Sequence, residues 1–557
     1  MARRFKFDKP LVESTLAPAS IDVYWIERDG NTGVLTKIKE YQSGQWVSIL
    51  ENASGDPQAL LDSVSYGVRW TKQGILESPV LERVGNTEMH KHLPIQSLFK
   101  GCVADGNEIQ YYLDPEDWSK KEDGTASVLD GTDGTVRVHT PKFYLRSWAY
   151  YDAETETDVR EVRISQVQFD PTWKEIPSCV IDAYCATLDM SGATYKAKSV
   201  NVQGSANLTN FLGGQYNDWW DSDNDEVDTS KVYTNADARL TDYGKPLTGV
   251  TRAQARTFAE NAGSELLSYF IYKALYWCMV IEYATFDLML PINNTKTAEG
   301  YTQGGIGMGL RNGSTEIDEH DEAGESNGSG IFSHTDYTDG YGRYGSRTPN
   351  GWADEIGNGT GSKVLFAAGS TVGTGDDALT QDVSVFKWRG FENFCGDQYI
   401  WLDGFISGAA YEDDQAYPAA LYITEKSESL DDTLANKEIV LPAVYTDGNG
   451  CISDFMLGQW ADPIGCAEEA EDYHVGMCDD QYLSVSYVAS FDDVEHKLYS
   501  EVGESGDDAK RVLYCGAFCG FAVAVLGPGY FDADDGLSSA DVGLGFRTLN
   551  RNPVLAE

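Results

Sequence analysis

The chain has 557 residues, 41% of them hydrophobic and 12% aromatic, which is enough apolar material for several domains and argues against wholesale disorder. Its 88 acidic and 42 basic residues give a formal net charge of −46, which disfavours nucleic acids and anionic membrane surfaces as partners. The basic N-terminus is followed by no apolar stretch, so we expect no signal peptide, and the ten cysteines form no Cys-x-x-Cys pair, which favours reduced thiols.

Short strands and turns dominate the first 170 residues. Residues 21–26 alternate partly between polar and apolar, and Asp-Gly-Asn-Thr-Gly at 29–33 is typical of a hairpin turn. Further strands are predicted at 135–139, 143–150 and 159–169. No fixed-period repeat is visible, which argues against a β-helix.

The composition changes near two prolines, Pro171 and Pro177. We therefore predict three parts: an N-terminal β attachment module at 1–55, a β-rich accessory domain at 56–172 and a larger domain at 173–557. Residues 1–170 would form the attachment region, and a fragment beginning near Thr172 is expected to fold without it.

Helical periodicity is concentrated between residues 250 and 290. Thr-Arg-Ala-Gln at 251–254 is a capping box, in which Thr251 is the N-cap and the side chain of Gln254 reaches back. We predict one helix at 251–261 and a second at 264–290. Charged residues interrupt the apolar run of the second helix, so it is predicted to be a buried core helix and not a membrane span.

No metal or catalytic motif stands out. The carboxylate run at 221–226 lacks the glycine and the bidentate glutamate of an EF-hand, so an irregular calcium site is left open and no metal ligand is assigned. Neither Gly-x-Ser-x-Gly nor His-Glu-x-x-His occurs. We expect no cofactor and no catalytic residue, although no glycosidase-like carboxylate pair can be singled out or dismissed among so many acidic residues.

Five stretches in order resemble the C-type-lectin fold in its formylglycine-generating-enzyme-like branch. They comprise an opening strand (181–187), two helices (250–259 and 272–286), a hairpin with Trp-Arg-Gly-Phe-Glu-Asn-Phe-Cys-Gly and Trp-Leu-Asp-Gly (388–396 and 401–404), and a closing segment (512–518 with Gly-Phe-Arg at 545–547).

The variant with a long helix and this hairpin is similar to tail and other virion proteins of phages and prophages. Some of these are the variable targets of diversity-generating retroelements. The resemblance implies an α+β domain with two helices on a small twisted antiparallel sheet and long loops, preceded by β-rich modules. The strand at 180–187 would pair with the strand ending at Phe546. It implies a virion protein made in the host cytoplasm and, by analogy, a trimer.

The closing segment departs from the pattern of the family. Cys-Gly-Ala-Phe at 515–518 replaces Gly-Gly-Ser-Trp, and Cys515 and Cys519 lack the surroundings of the reactive cysteines of the oxidases, so we interpret them as ordinary residues. Residues 513–547 contain no Lys, Glu, Gln, Met or Trp, which is the composition expected if codons ending in a pyrimidine are varied at their first two positions. Chance in a β-rich segment would give the same composition.

The resemblance places a receptor-binding surface on 514–541. Scaffold positions would be Gly516, Gly520, Gly545, Phe546 and Arg547. The displayed positions would be Tyr514, Ala517, Phe518, Phe521, Tyr530, Phe531, Asp532, Asp534, Asp535 and Asp541. Aromatic anchors beside carboxylates suit a binding hot spot, and they would equally suit a subunit contact.

Three classes of function follow. The first is adhesion, in which a tail fibre or baseplate tip binds a glycan or protein of the bacterial surface and other virion proteins hold the N-terminal region. The second is architecture, as a head-fibre or decoration protein. The third is enzymatic, as a polysaccharide depolymerase or a formylglycine-type oxidase.

Overall fold

The computed structural model describes most of the chain up to residue 307 and a set of separate segments beyond it. The described residues are 11–13, 17–18, 20, 24–42, 45–51, 57–71, 78, 80–153, 155–216, 220–221, 226–232, 234, 239, 241–288, 290–307, 348–367, 382–408, 418–423, 439–440, 444–445, 451–452, 498–499, 510–516, 528, 531–532, 537–540 and 543–556. Within them the chain is α+β, with four α-helices and many strands.

The N-terminal strands form a four-stranded sheet, in the order β1 (Leu11–Glu13), β2 (Tyr24–Arg28), β3 (Leu35–Gln42) and β4 (Gln45–Glu51). Its core extends past residue 55, because helix α1 (Pro57–Val64) and the side chains of Val167, Phe169 and Trp173 pack on it. The amide of Leu35 also donates to the carbonyl of Phe169 at 2.6 Å. The expected end of this module at residue 55 is therefore too early.

A seven-stranded sheet runs through the centre of the chain. Its strands are β7 (Lys100–Asp105), β8 (Glu108–Tyr112), β9 (Thr135–Thr140), β13 (Cys179–Asp182), β21 (Glu265–Leu266), β36 (Thr548–Arg551) and β37 (Val554–Leu555), in the order β21-β36-β13-β9-β7-β8-β37.

Strand β13 lies between the two halves of the chain. Ile181 is paired with Val138 of β9 on one side and with Leu549 of β36 on the other. The sheet and its core therefore continue across residue 172. The expectation that residues beyond 172 fold alone needs correction, because β13 would lose its partner β9. The sheet is also larger than expected. The closing strand that pairs with β13 begins after Phe546, whereas we expected that strand to end at Phe546.

Helix α3 (Arg252–Asn261) begins as the sequence predicts. Thr251 accepts a hydrogen bond from the amide of Gln254, and the side chain of Gln254 accepts from the amide of Thr251 at 2.9 Å, which completes the capping box. Its buried face includes Ala255 and Phe258, which pack into the main core.

Helix α4 (Tyr269–Tyr283) is buried along its whole length and shorter than the predicted 264–290. Phe270 and Trp277 are 5% and 2% exposed, as predicted. The helix begins late because β21 precedes it and Ser268 caps it. It ends early because Ala284 takes a left-handed conformation (φ 54°).

Two arginine side chains bind the C-terminal end of α4. The guanidinium of Arg83 donates to the carbonyls of residues 281–283 at 3.1–3.3 Å, the groups that a helix leaves without partners at its C-terminus. Glu282, although buried, forms a bidentate ion pair with Arg389, with two N–O distances of 2.7 Å. Within the described part of the chain, no helix is long and apolar enough to cross a membrane.

A five-stranded sheet packs against α4. Its strands are β5 (Ser65–Thr71), β6 (Glu82–Gly85), β10 (Phe143–Asp152), β11 (Thr157–Ser165) and β12 (Lys174–Ile176), in the order β12-β10-β11-β5-β6. On the face toward the helix, the ring of Trp70 stacks on that of Trp277 with centroids 5.7 Å apart. Helix α2 (Thr87–His92) follows β6.

A second seven-stranded sheet carries the C-terminal segments. It contains β27 (Tyr399–Gly408), β28 (Pro418–Ile423), β29 (Ile439–Val440), β30 (Val444–Tyr445), β33 (Lys510–Gly516), β34 (Phe531–Asp532) and β35 (Leu544–Gly545). Strand β27 is its centre: it pairs with β28, β33 and β35.

The remaining strands form small sheets of two or three. They are β14 (Thr187–Asp189) with β15 (Lys196–Lys198) and β16 (Phe211–Leu212); β17 (Gly214–Gln215) with β20 (Leu247–Thr248); β18 (Trp220–Asp221) with β19 (Glu226–Val227); β22 (Ile292–Lys296) with β23 (Thr302–Gly304); β24 (Gly361–Phe366) with β25 (Val383–Trp388) and β26 (Phe391–Glu392); and β31 (Cys451–Ile452) with β32 (Leu498–Tyr499).

Candidate functional site

The closing segment leaves and rejoins the fold at one place. Gly516, the last residue of β33, is paired antiparallel with Tyr399 of β27, and Leu544, the first residue of β35, is paired parallel with the same Tyr399. The amide of Tyr399 also donates to the carbonyl of Gly543 at 2.8 Å. Residues 517–543 therefore begin and end on either side of a single strand position.

Arg547 fixes the chain just beyond this segment. Its side chain is fully buried, and Nη1 donates to the carbonyl of Asp182 at 2.9 Å while Nη2 donates to those of Glu392 and Asn393 at 2.5 and 3.0 Å. Strand β13, the hairpin at 391–393 and the closing strand are thus joined by one guanidinium group. Charge-assisted hydrogen bonds of this kind are among the stronger ones in proteins.

Asp182 supports the same junction from β13. Its Oδ2 accepts from the amide and the hydroxyl of Thr548 at 2.7 and 2.8 Å. Oδ1 lies 3.3 Å from Nε of Arg137, an ion-pair distance that lacks hydrogen-bond geometry. Burial raises the pKa of the Asp182 carboxyl, and the nearby Arg137 opposes that effect. Both charged side chains are buried and serve to hold strands together.

The frame is tightly packed at Gly545, so that a larger residue would require the buried side chain of Gln398 to move. A Cβ atom there would lie 2.0 Å from Nε2 of Gln398, closer than two such atoms can approach. Gly516 has φ +90°, a conformation that favours glycine. Together with the buried Phe546 and Arg547, these glycines take the positions expected of a scaffold. Gly520 lies outside the described residues.

Ten positions were predicted to be displayed, and the structure describes the backbone of three. Tyr514 is paired with Asp532 across β33 and β34, and Phe531 is paired with the buried Cys515. The other seven lie outside the described residues: Ala517, Phe518, Phe521, Tyr530, Asp534, Asp535 and Asp541. The structure therefore brings Tyr514 and Asp532 together.

Cys515 is a buried residue of the sheet. Burial raises the pKa of its thiol well above the usual range, which disfavours the reactive thiolate. This environment agrees with the interpretation of Cys515 as an ordinary packing residue. Cys519 lies outside the described residues.

The sequence analysis did not single out Arg137 and Asp182. A signal was present, because each is a charged residue next to β-branched apolar residues in a short strand, in Thr-Val-Arg-Val-His-Thr and Cys-Val-Ile-Asp. Inward-facing charges in such strands need a partner. The partner could not be identified from the sequence, since strand pairing between β9 and β13 was not predicted.

A second buried polar cluster lies beside the frame. Glu392 accepts hydrogen bonds from the amides of Gly351 and Ala353, both at 2.8 Å. Burial, with the nearby Asp354 as a smaller cause, raises the pKa of Glu392 to about 7. Asp354 accepts from the hydroxyl of Tyr184 at 2.6 Å. These contacts tie the segment at 350–354 to β26 and to the residues after β13.

For the carboxylate run at 221–226, the structure describes only the ends, where Asp221 is paired with Glu226. Among the residues that the structure describes, no three His, Cys, Asp or Glu side chains are grouped as metal ligands. In comparisons with known proteins, no family model, no curated protein and no solved structure matches this chain.

Proposed function

We propose that the chain is a non-enzymatic structural protein of a bacteriophage virion that binds the host surface through a C-type-lectin-like domain near its C-terminus. One observation carries the proposal: residues 517–543 leave and return beside the same residue, Tyr399. A segment anchored in this way can change its side chains while its two ends stay in place.

As far as the structure describes them, the hydrogen bonds of the frame do not involve those side chains. The contacts of Arg547, Asp182 and Thr548 are made with residues outside 517–543. Substitutions within the segment therefore leave the frame's hydrogen bonds intact, which is what a surface adapted to different receptors requires. The composition of 513–547 is consistent with such variation.

The order of the elements supports a lectin-like arrangement. An opening strand (β13), two consecutive helices (α3 and α4), a hairpin and a closing segment follow each other, and the closing strand β36 lies beside β13. In this proposal the partners are a bacterial surface glycan or protein, and other virion proteins at the N-terminal sheet. The chain would be made in the host cytoplasm and assemble as a homo-oligomer, by analogy a trimer.

The proposal is tested on purified particles and on cells. Particles induced from the bacterium that encodes the chain should contain it by mass spectrometry, and the soluble full chain should compete with them for adsorption. A matched control is Val554→Ala with Leu555→Ala, because these side chains are exposed (56% and 61%) and lie on β37. The control should compete as well as the wild type.

Two results would contradict the proposal. If the chain is absent from purified particles, it is not a virion protein. If the chain is present and does not compete at saturating concentration, its role in the particle is architectural.

A further inference from the structure

A charged cleft opens on the five-stranded sheet, on the face opposite to helix α4. Its volume is about 570 Å³, and it is lined by residues of α1, β5, β6, β10 and β11. Small-molecule sites in proteins have volumes of the order of 300–1,000 Å³. The cleft is large enough to hold a ligand of two or three sugar rings.

The register of the sheet places alternating groups in a row across the cleft. Trp148 is paired with Glu161, Glu161 with Arg69, and Arg69 with Glu82. Directly paired residues of neighbouring strands lie on the same face of a sheet. An aromatic ring, a carboxylate, a guanidinium and a second carboxylate therefore follow each other across four strands.

Gly67 makes room for the floor of the cleft. A Cβ atom at this position would lie 2.0 Å from the carbonyl oxygen of Val162 and 2.8 Å from Cγ of Arg163, so both the neighbouring strand and the arginine side chain come close to the glycine. Within the described residues, Arg163 bonds to Glu161 through Nε and to Asp62 through Nη1, at 2.5 Å for the latter. Its Nη2 is left for a ligand.

Aromatic groups form one wall of the cleft. The guanidinium of Arg146 lies 4.6 Å from the ring of Trp148, and this cation–π contact holds the ring in place. Tyr150, two residues further along β10, is 37% exposed, and its hydroxyl reaches Glu161 at 3.3 Å. The row thus combines an aromatic surface with hydrogen-bonding groups.

The lining carries charges of both signs, in contrast to the net charge of −46 of the whole chain. The acidic members are Asp62, Glu82 and Glu161, and the basic groups that face the cleft are those of Arg69 and Arg163, because the guanidinium of Arg83 binds the end of α4 on the other face of the sheet. The carboxylates would repel an anion, and the guanidinium groups would repel a cation. A purely apolar ligand would leave these charged groups without partners. A neutral ligand with many hydroxyl groups can donate to the carboxylates and accept from the guanidinium groups.

We propose that this cleft binds a neutral oligosaccharide, at a site separate from the closing segment. Hydroxyl groups of the sugar pair with Glu82, Glu161 and Arg163, and its apolar C–H surface packs on Trp148 and Tyr150. One face of a sugar ring and its hydroxyl groups are served by this arrangement, because the polar groups and the aromatic rings lie next to each other on one face of the sheet.

The test uses the full chain and a panel of neutral trisaccharides: maltotriose, cellotriose, mannotriose and triacetylchitotriose. Binding is detected by saturation-transfer NMR at millimolar sugar and quantified by titration calorimetry. Tyr150→Ala and Glu82→Gln should each weaken the binding of the sugar that binds by about tenfold or more, the scale of one lost contact of 1.4 kcal/mol. Glu82 is 58% exposed at its side chain, so its substitution should leave the fold intact.

Tyr151→Ala is the matched control. Tyr151 is the next residue on β10, is 63% exposed and does not line the cleft. Its substitution should leave sugar binding unchanged. The proposal is overturned if no sugar of the panel binds, if Tyr151→Ala weakens binding as much as Tyr150→Ala, or if inorganic phosphate or citrate binds in the cleft in place of the sugars.

Discussion

The contact between Trp70 and Trp277 offers a quantitative test of the continuous core. Trp70 belongs to the five-stranded sheet, in the part of the chain expected to be separable, and Trp277 lies in α4. Their rings are stacked at 5.7 Å with an angle of 20°, and the two residues are only 6% and 2% exposed.

Each tryptophan is expected to contribute strongly to stability. Replacing a buried tryptophan by alanine costs about 3–5 kcal/mol, from lost burial and from the cavity that remains. The two costs should not add, because the aromatic pair itself contributes about 0.5–1.5 kcal/mol beyond burial. The double variant should therefore lose less than the sum of the single losses by about that amount.

Urea unfolding of the wild type, both single variants and the double variant measures this coupling. Trp46→Ala is the control, because Trp46 contacts Trp25 in the N-terminal sheet, at 5.7 Å. Its effect should add to that of Trp277→Ala within about 0.5 kcal/mol. Strict additivity of Trp70→Ala and Trp277→Ala would refute the reasoning, because it would mean that β5 and α4 do not share a core.

Four further predictions follow from the frame and the sheet. Gly545→Ala should lower the free energy of unfolding by about 1–3 kcal/mol in denaturant titrations, since a Cβ would overlap Gln398; an unchanged midpoint would contradict the packing. Arg547→Met should destabilise by about 3–5 kcal/mol, because buried carbonyls lose their donor; a stability equal to the wild type would be evidence against the junction. The fragment 172–557 should be insoluble when expressed alone, since β13 loses β9; a soluble, cooperatively folded fragment would restore the expected boundary. In the folded chain the pKa of Glu392 is about 7, which is above its value in the unfolded chain. The stability that the protonated carboxyl contributes is therefore present below about pH 4.5 and is lost as the pH rises through 7. Glu392→Gln should flatten this pH dependence of stability, and an equally steep fall in the variant would contradict the argument.

Local signals in the sequence were enough to locate the two long helices. The capping box at Thr251 and Gln254 fixes the start of α3 through neighbours only three residues apart. The apolar run, interrupted by charged residues, identified α4 as a core helix. Its two ends could not be predicted, because β21 is defined by pairing with β36 near the C-terminus and the end of the helix is held by Arg83, far earlier in the chain.

The domain boundaries could not be predicted for the same reason, because they depend on contacts between residues far apart in the chain. Proline positions and composition suggested a boundary at 172, and the structure instead places β13 between β9 and β36. Pairing between strands so distant in sequence leaves no local trace. At the candidate site, the glycines and Arg547 were predictable from the Gly-Phe-Arg motif, whereas the partner of Asp182 required the register of the sheet.

Adsorption of particles carrying a substituted closing segment tests the proposed function most directly. If the side chains of Tyr530 and Phe531 are displayed, Tyr530→Ala with Phe531→Ala is expected to abolish attachment to host cells while the free energy of unfolding stays within about 1 kcal/mol of wild type. Particles carrying Val554→Ala with Leu555→Ala should adsorb normally. Unchanged adsorption of the Tyr530 and Phe531 variant, or failure of that variant to fold or assemble, would contradict a receptor-binding role for the closing segment.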